Sequence, residues 1–146
     1  MAMVATDAGL EPTVLATDID RGALAEASAG KYPIESLREV PARDLRRHFV
    51  VTGESVSIQP GFEQMIEFRR HDLLSDPLPI RQFDFIACRN VAIYFSEEAK
   101  RSLHSRLAEA TSPGGVLFVG GAERISNPRD IGLEMLRPQL YLRSVE

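Results

Sequence analysis

Short apolar runs along this chain alternate with stretches of helical spacing, and several of the runs break off at a polar or acidic residue. Thr13 to Thr17 is apolar and ends at Asp18. Ile66 to Arg70 alternates before His71-Asp72-Leu73-Leu74, and Phe83 to Cys88 is nearly continuous before Arg89-Asn90. The alternation predicts a half-exposed strand and the continuous run a strand buried on both faces. Val116 to Val119 is a fourth apolar run, set off by the turn signal Pro113-Gly114-Gly115.

Helical spacing fills much of what lies between. Met1 to Ala8 reads as the end of a helix stopped by Gly9, with Pro12 beyond it. Asp20 can cap a helix whose Ala23, Leu24 and Ala27 share a stripe and which Gly30 ends. Ser96 opens another, with Glu97 and Glu98 in the first turn where the macrodipole favours acids, and Leu103, Leu107 and Ala110 as its stripe. Lys31 to Phe49, punctuated by Pro33 and Pro41, reads as two short helices contacting the core through Leu37, Val40, Leu45 and Phe49. Phe49-Val-Val-Thr and Val56-Ser-Ile around Gly53-Glu54-Ser55 predict a β-hairpin, and the stretches on either side of Pro138 a closing pair. Strands alternating with helices predict a mostly parallel α/β sheet. The 146 residues show no repeat or linker, so a single domain over 1–146 is expected.

Composition narrows the function class. With 44% hydrophobic and 26% charged residues the chain can bury a core, and its net charge of -4 lacks the basic footprint of a nucleic-acid binder. No apolar stretch suits secretion or membrane insertion, and the single cysteine, Cys88, cannot close an internal disulfide, so a cytoplasmic protein is expected. His48, His71 and His104 lack the spacing of a metal site, and no metal is expected. Arg38, Arg43, Arg46, Arg47 and His48 form a local basic stretch, either a solvated helix face or a dock for an acidic helical partner.

Candidate chemistry gathers at the strand ends, where open α/β sheets bind ligands. Asp18 stands where a carboxylate can accept hydrogen bonds from the ribose hydroxyls of a nucleotide-type cofactor, and a plain turn role is the alternative. Asp72 can take an adenine amino group while Leu73 and Leu74 wall the ring, again with a turn role as the alternative. Arg89-Asn90, followed by Val91, Ile93, Tyr94 and Phe95, is not an ordinary turn, which would more often bring Gly or Pro. Cys88 itself reads as a small buried hydrophobe.

Together these residues resemble the carboxyl-terminal, S-adenosylmethionine-binding domain of the CheR-type chemotaxis receptor methyltransferases, which methylate glutamate side chains. The resemblance runs from about Thr13 to Arg143 through Leu15-Ala-Thr-Asp-Ile-Asp20, Lys31-Tyr32, Asp72-Leu-Leu, Phe83 to Phe95, Pro113-Gly-Gly, Leu117-Phe118, Glu123 and Tyr141. Its specific element is Cys88-Arg-Asn-Val-x-Ile-Tyr-Phe95. The resemblance implies a Rossmann-like class I methyltransferase sheet, mostly parallel with an antiparallel C-terminal strand, with a β-hairpin insert at about 49–59. It implies S-adenosylmethionine as cofactor and S-adenosylhomocysteine as product. Asp18 would hold the ribose, Asp72 with Leu73 the adenine side, and Asn90-Val91 the methionine or ribose side; Tyr94 would be the catalytic residue beside the transferred methyl. The implied partners are the cytoplasmic helices of methyl-accepting receptors or a related signalling protein.

Three departures accompany the resemblance. The family's glycine-containing loop after the first strand would precede Met1, and no G-x-G occurs here. The family's amino-terminal helical domain, with its active-site arginine, has no counterpart. Gly120-Gly121-Ala122-Glu123 stands where the family usually has Gly-His-Ser-Glu. The sheet is therefore expected to lack its first central strand and to leave two inner edges unpaired, unless those edge strands close on one another; the chain is then a truncated product or one whose partner supplies the strand. The short hairpin turn suggests little or no grip on a receptor tail. A non-catalytic module that keeps the fold for cofactor sensing or receptor docking is the alternative function. A phospho-receiver domain fits poorly, because the only lysines are Lys31 and Lys100 and neither follows a late strand.

Overall fold

The computed structural model describes residues 1–79 and 82–145, which form two compact units, Met1–Asp72 and Leu73–Glu146. In the first unit, α1 (Ala2–Asp7) ends before Gly9, whose φ of +78° lies in the left-handed region that glycine adopts without strain. The chain then forms β1 (Val14–Asp18) and α2 (Arg21–Ala29). The Asp20 carboxylate accepts the N–H groups of Gly22 and Ala23, and Gly30 closes the helix in the left-handed conformation, so both expected caps are present. The α2 stripe packs only in part: Leu24 and Ala27 are half-buried and Ala23 is exposed.

The stretch expected to be two helices is partly strand. It runs as β2 (Lys31–Pro33), a 3₁₀ turn at Ile34–Leu37 and α3 (Ala42–His48), and leads into β3 (Phe49–Thr52) and β4 (Ser55–Ile58). β4 pairs antiparallel with β3 and β2, so the predicted hairpin gains a third strand around buried Val56. Lys31-Tyr32-Pro33 carries no periodic signal of its own; pairing with β4 makes it a strand.

The basic stretch also divides. Buried His48 donates from Nε2 to Asp7 at 3.0 Å, and Arg47 Nε meets the other oxygen of the same carboxylate at 3.0 Å. The His48 hydrogen bond, helped by the Arg47 charge, outweighs partial desolvation and lowers the Asp7 pKa. Two members of the stretch therefore tie α3 to α1 instead of facing a partner. β5 (Ile66–Arg70) pairs parallel with β1 in register from Val14↔Ile66 to Asp18↔Arg70.

The second unit holds β6 (Phe83–Cys88), α4 (Glu97–Ala110), β7 (Thr111–Val119), β8 (Leu133–Arg137) and β9 (Leu140–Arg143), with sheet order β6-β7-β9-β8. Ser96 accepts the Ala99 N–H and caps α4, whose Leu103, Leu107 and Ala110 are all buried as the spacing predicts. Leu103, Leu107 and Ala108 pack with Cys88, Leu117, Val119, Leu133 and Tyr141 in one core.

β6 differs from its apolar pattern. Cys88 is buried and Ile86 half-buried, but the alternate side chains of Phe85 and Ala87 are exposed. α4 covers one sheet face only; on the other, Phe85 lies 6.4 Å from the Phe118 ring and Arg89 stacks 5.0 Å above it. The expected turn at Pro113-Gly114-Gly115 is absorbed into β7 as an irregularity opposite Phe83–Phe85. A Cβ on Gly115 would stand 2.9 Å from the Ser112 carbonyl and 3.0 Å from that of Asp84, so the close strand approach requires glycine there.

The result is an α/β fold with mixed sheets. β1–β5 and β6–β7 are parallel as strand–helix alternation requires, while the insert and the β8–β9 closing hairpin supply antiparallel pairs. Among the described residues β1 pairs only with β5 and β6 only with β7, so each keeps an open edge, as expected. No described helix is long and apolar enough to cross a membrane.

Candidate functional site

Asp18 closes β1 and is exposed. Its Oδ1 accepts the Asp20 N–H at 2.9 Å, and its carbonyl accepts the His71 N–H at 2.9 Å. The first bond is an Asx turn that orients the carboxylate, and the second joins the carboxyl ends of β1 and β5. The turn role and the ligand role weighed for Asp18 are thus compatible, since one oxygen builds the turn. Asp72, half-buried, lies two residues past the end of β5 at the same end of this parallel pair. Asp18 and Asp72 therefore stand together on the first unit.

Leu73, Asn90, Val91 and Tyr94 belong to the second. The carbonyls of Leu73 and Asp76 receive Arg106 of α4, at 2.8 Å from Nη1 and 2.5 Å from Nη2. Half-buried Leu73 also packs on the core, so its turn is held by backbone and side chain together. Leu74 is 51% exposed and does not share that packing.

After β6 the chain turns sharply. Asn90 has a φ of +59°, a left-handed conformation that asparagine tolerates better than most residues, and Val91 returns to the right-handed region. This left–right sequence makes the successive N–H groups of Asn90, Val91 and Ala92 converge into an anion-binding nest. Buried Glu123 fills it: Oε2 accepts from Asn90 at 2.9 Å, and Oε1 accepts from Val91 at 3.1 Å and Ala92 at 2.7 Å. Oε2 also accepts the Gly120 N–H at 2.6 Å, while Gly120 returns its carbonyl to the Glu123 N–H at 2.9 Å. Burial alone would raise the Glu123 pKa, but the four N–H donors outweigh it and lower the value. The carboxylate is therefore charged at neutral pH. Beyond the nest, a 3₁₀ turn at Ala92–Tyr94 leaves Tyr94 82% exposed beside Ile93 at 41%.

Glu123 and Gly120 enter the sequence reading only as positions of the resemblance, with no role of their own, and Arg106 does not enter it at all; all three build the site. The signal available was Gly-Gly-x-Glu directly after a buried strand, where a charged residue would otherwise be left among apolar neighbours.

The sequence matches the family described as CheR methyltransferase, SAM binding domain, over residues 1–137. The chain belongs to the CheR methyltransferase family. It is 40% identical over 131 residues to a chemotaxis protein methyltransferase of Listeria innocua, covering 90% of this chain and 50% of that one. Chemotaxis protein methyltransferase 1 of Pseudomonas aeruginosa is 35% identical over 119 residues, or 80% of this chain and 43% of the relative. The chain thus spans half or less of the length of these relatives. A solved S-adenosylmethionine-dependent methyltransferase from Mesorhizobium loti aligns with a TM-score of 0.47 at 22% identity, covering 80% of this chain and 38% of that one.

Within this CheR domain Cys88 is a packing residue. Burial, and secondarily the Glu123 charge, push its thiol up to about 11. At pH 8 the folded chain should be alkylated by iodoacetamide about a hundredfold more slowly than an unfolded control, because so little thiolate forms. Equal labelling rates by mass spectrometry would contradict this placement.

Proposed function

We propose that this domain binds S-adenosylmethionine and, in its full protein context, supports methyl transfer to glutamate side chains of chemotaxis-type receptors. The observation that carries the reading is the pair of oriented strand-end features, the Asx-held Asp18 carboxylate and the preset Asn90-Val91 turn, in a CheR family chain. The donor set suits the cofactor: a carboxylate for vicinal ribose hydroxyls at Asp18, a second carboxylate for an adenine amino group at Asp72, and an apolar wall at Leu73. Asn90 and Val91 serve the methionine or ribose side, and exposed Tyr94 lines the methyl.

When bound, the cofactor supplies an electrophilic methyl group on a sulfonium. An acceptor glutamate, with a reference pKa near 4.3, is ionised at neutral pH and asks no general base of the protein. The chain's contribution is then positioning, with Tyr94 and Asn90 as walls and hydrogen-bonding groups.

A non-catalytic binding or regulatory module is the second reading, favoured by Gly121-Ala122 standing before Glu123 where the resemblance expects His-Ser. Incubating the chain with methyl-labelled S-adenosylmethionine and a receptor cytoplasmic fragment separates the two. Base-labile label on the receptor supports the enzyme; retained cofactor without transfer supports the module; neither would overturn both.

A further inference from the structure

We propose that Glu123 is a positioning residue for the cofactor, acting through the Asn90–Ala92 backbone that its carboxylate holds. The proposal rests on the assignment of Asn90 and Val91 to cofactor binding. A nest of this kind commonly receives an anion from outside the chain; here the chain fills it with its own side chain. Each carboxylate oxygen takes two N–H groups, and together they reach both sides of the site's turn, Asn90 to Ala92 on one and Gly120 on the other.

The position of Asn90 depends on this arrangement. A residue other than glycine at a φ of +59° is held there by its surroundings, and the bond from its N–H to Glu123 Oε2 links it to the segment that follows β7. The Asn90 side chain lies directly over Gly120, where a Cβ would stand 2.6 Å from Asn90 Oδ1 and 2.8 Å from Asn90 N. Glu123 and Gly120 therefore act as one device: glycine gives the room, and the carboxylate fixes the direction in which the exposed Asn90 side chain and the half-buried Val91 are presented.

Neutralising the carboxylate changes its chemistry more than its shape. A glutamine at 123 replaces one acceptor oxygen with an NH₂ donor, which would face two backbone donors. The titratable groups on the packed elements that feel the Glu123 charge are Cys88 on β6, whose thiol burial keeps protonated, and His104 on α4, whose pKa burial lowers while Glu123 opposes the shift. Neither supplies a replacement anion for the nest at neutral pH.

The test is calorimetric titration of S-adenosylhomocysteine into the full chain and its Glu123→Gln and Glu123→Asp variants at neutral pH, paired with amide spectra of each. Glu123→Gln should weaken binding about 10- to 100-fold, the range set by losing one buried charged hydrogen-bond acceptor. Glu123→Asp keeps the charge but is one methylene shorter, and should fall between. The amide protons of Asn90, Val91, Ala92 and Gly120 should shift together in the glutamine variant, while that of Ile125, bonded to Tyr141 at 3.1 Å, stays in place. If the glutamine variant does not fold, the aspartate variant carries the same comparison. Unchanged affinity in a folded variant, or four amides that move independently, would overturn the proposal. The stated amide shifts in the glutamine variant, together with a wild-type chain that binds no S-adenosylhomocysteine, would instead overturn the cofactor assignment of Asn90 and Val91, and with it any action of Glu123 on the cofactor.

Discussion

Replacing Gly120 with alanine is expected to destabilise the chain by about 3 kcal/mol, near the upper part of the range for overpacking a filled interior. The added Cβ would overlap Glu123 Oε2 and stand 2.8 Å from the Asn90 amide nitrogen, which is backbone and cannot swing away. Relief would require moving the Asn90 turn or expelling the carboxylate, and either separates Glu123 from its N–H donors. Gly121 is the internal control, because a Cβ there meets nothing within 4 Å. Urea unfolding followed by circular dichroism should show a large loss for Gly120→Ala and almost none for Gly121→Ala. Equal effects would mean that the turn tolerates rearrangement and that the four-donor clamp is not rigid.

Tyr141→Ala should cost about 3 to 5 kcal/mol, the range for deleting a buried aromatic side chain. Tyr141 on β9 is 1% exposed and packs among Leu103, Leu117 and Leu133. Its hydroxyl accepts the Ile125 N–H at 3.1 Å and so satisfies a buried donor in the segment that follows Glu123. Tyr141→Phe separates the two contributions. It keeps the ring, strands the Ile125 donor and should cost about 1 to 2 kcal/mol. A phenylalanine variant as unstable as the alanine variant would place the stabilisation in the hydroxyl and contradict the packing account.

Much of the fold was legible because local chemistry and tertiary packing agree. Asp20 and Gly30 bracket α2, Ser96 opens α4, and Leu103, Leu107 and Ala110 all reach the core their spacing predicts. Legibility failed where pairing across the chain decided the outcome. Lys31–Pro33 is a strand because β4 lies beside it, and β7 begins at Thr111 because β6 accommodates an irregularity that looks like a turn in one dimension. The apolar run of β6 read as doubly buried because sequence records hydrophobicity and not how many layers cover it; Phe85 remains 39% exposed.

At the candidate site, Asp18 and Asn90 were visible as polar residues ending apolar runs. Glu123 was visible only as a position of the resemblance; its role in shaping the Asn90 turn was not, since it lies 33 positions away and acts on donors brought together only by folding. Arg106, whose side chain holds the Leu73 carbonyl, was hidden for the same reason within an ordinary helical pattern.

The central claim, that this domain binds an S-adenosyl cofactor through its strand-end residues, is tested most directly by titrating S-adenosylhomocysteine into the folded 146-residue chain and its Asp18→Ala variant in a calorimeter. The account predicts saturable binding by the wild-type chain and its loss on removing Asp18, because the variant deletes the carboxylate that the Asp20 N–H orients for the ribose hydroxyls. Binding of equal strength by both chains, or none by a wild-type chain shown to be folded, would contradict it.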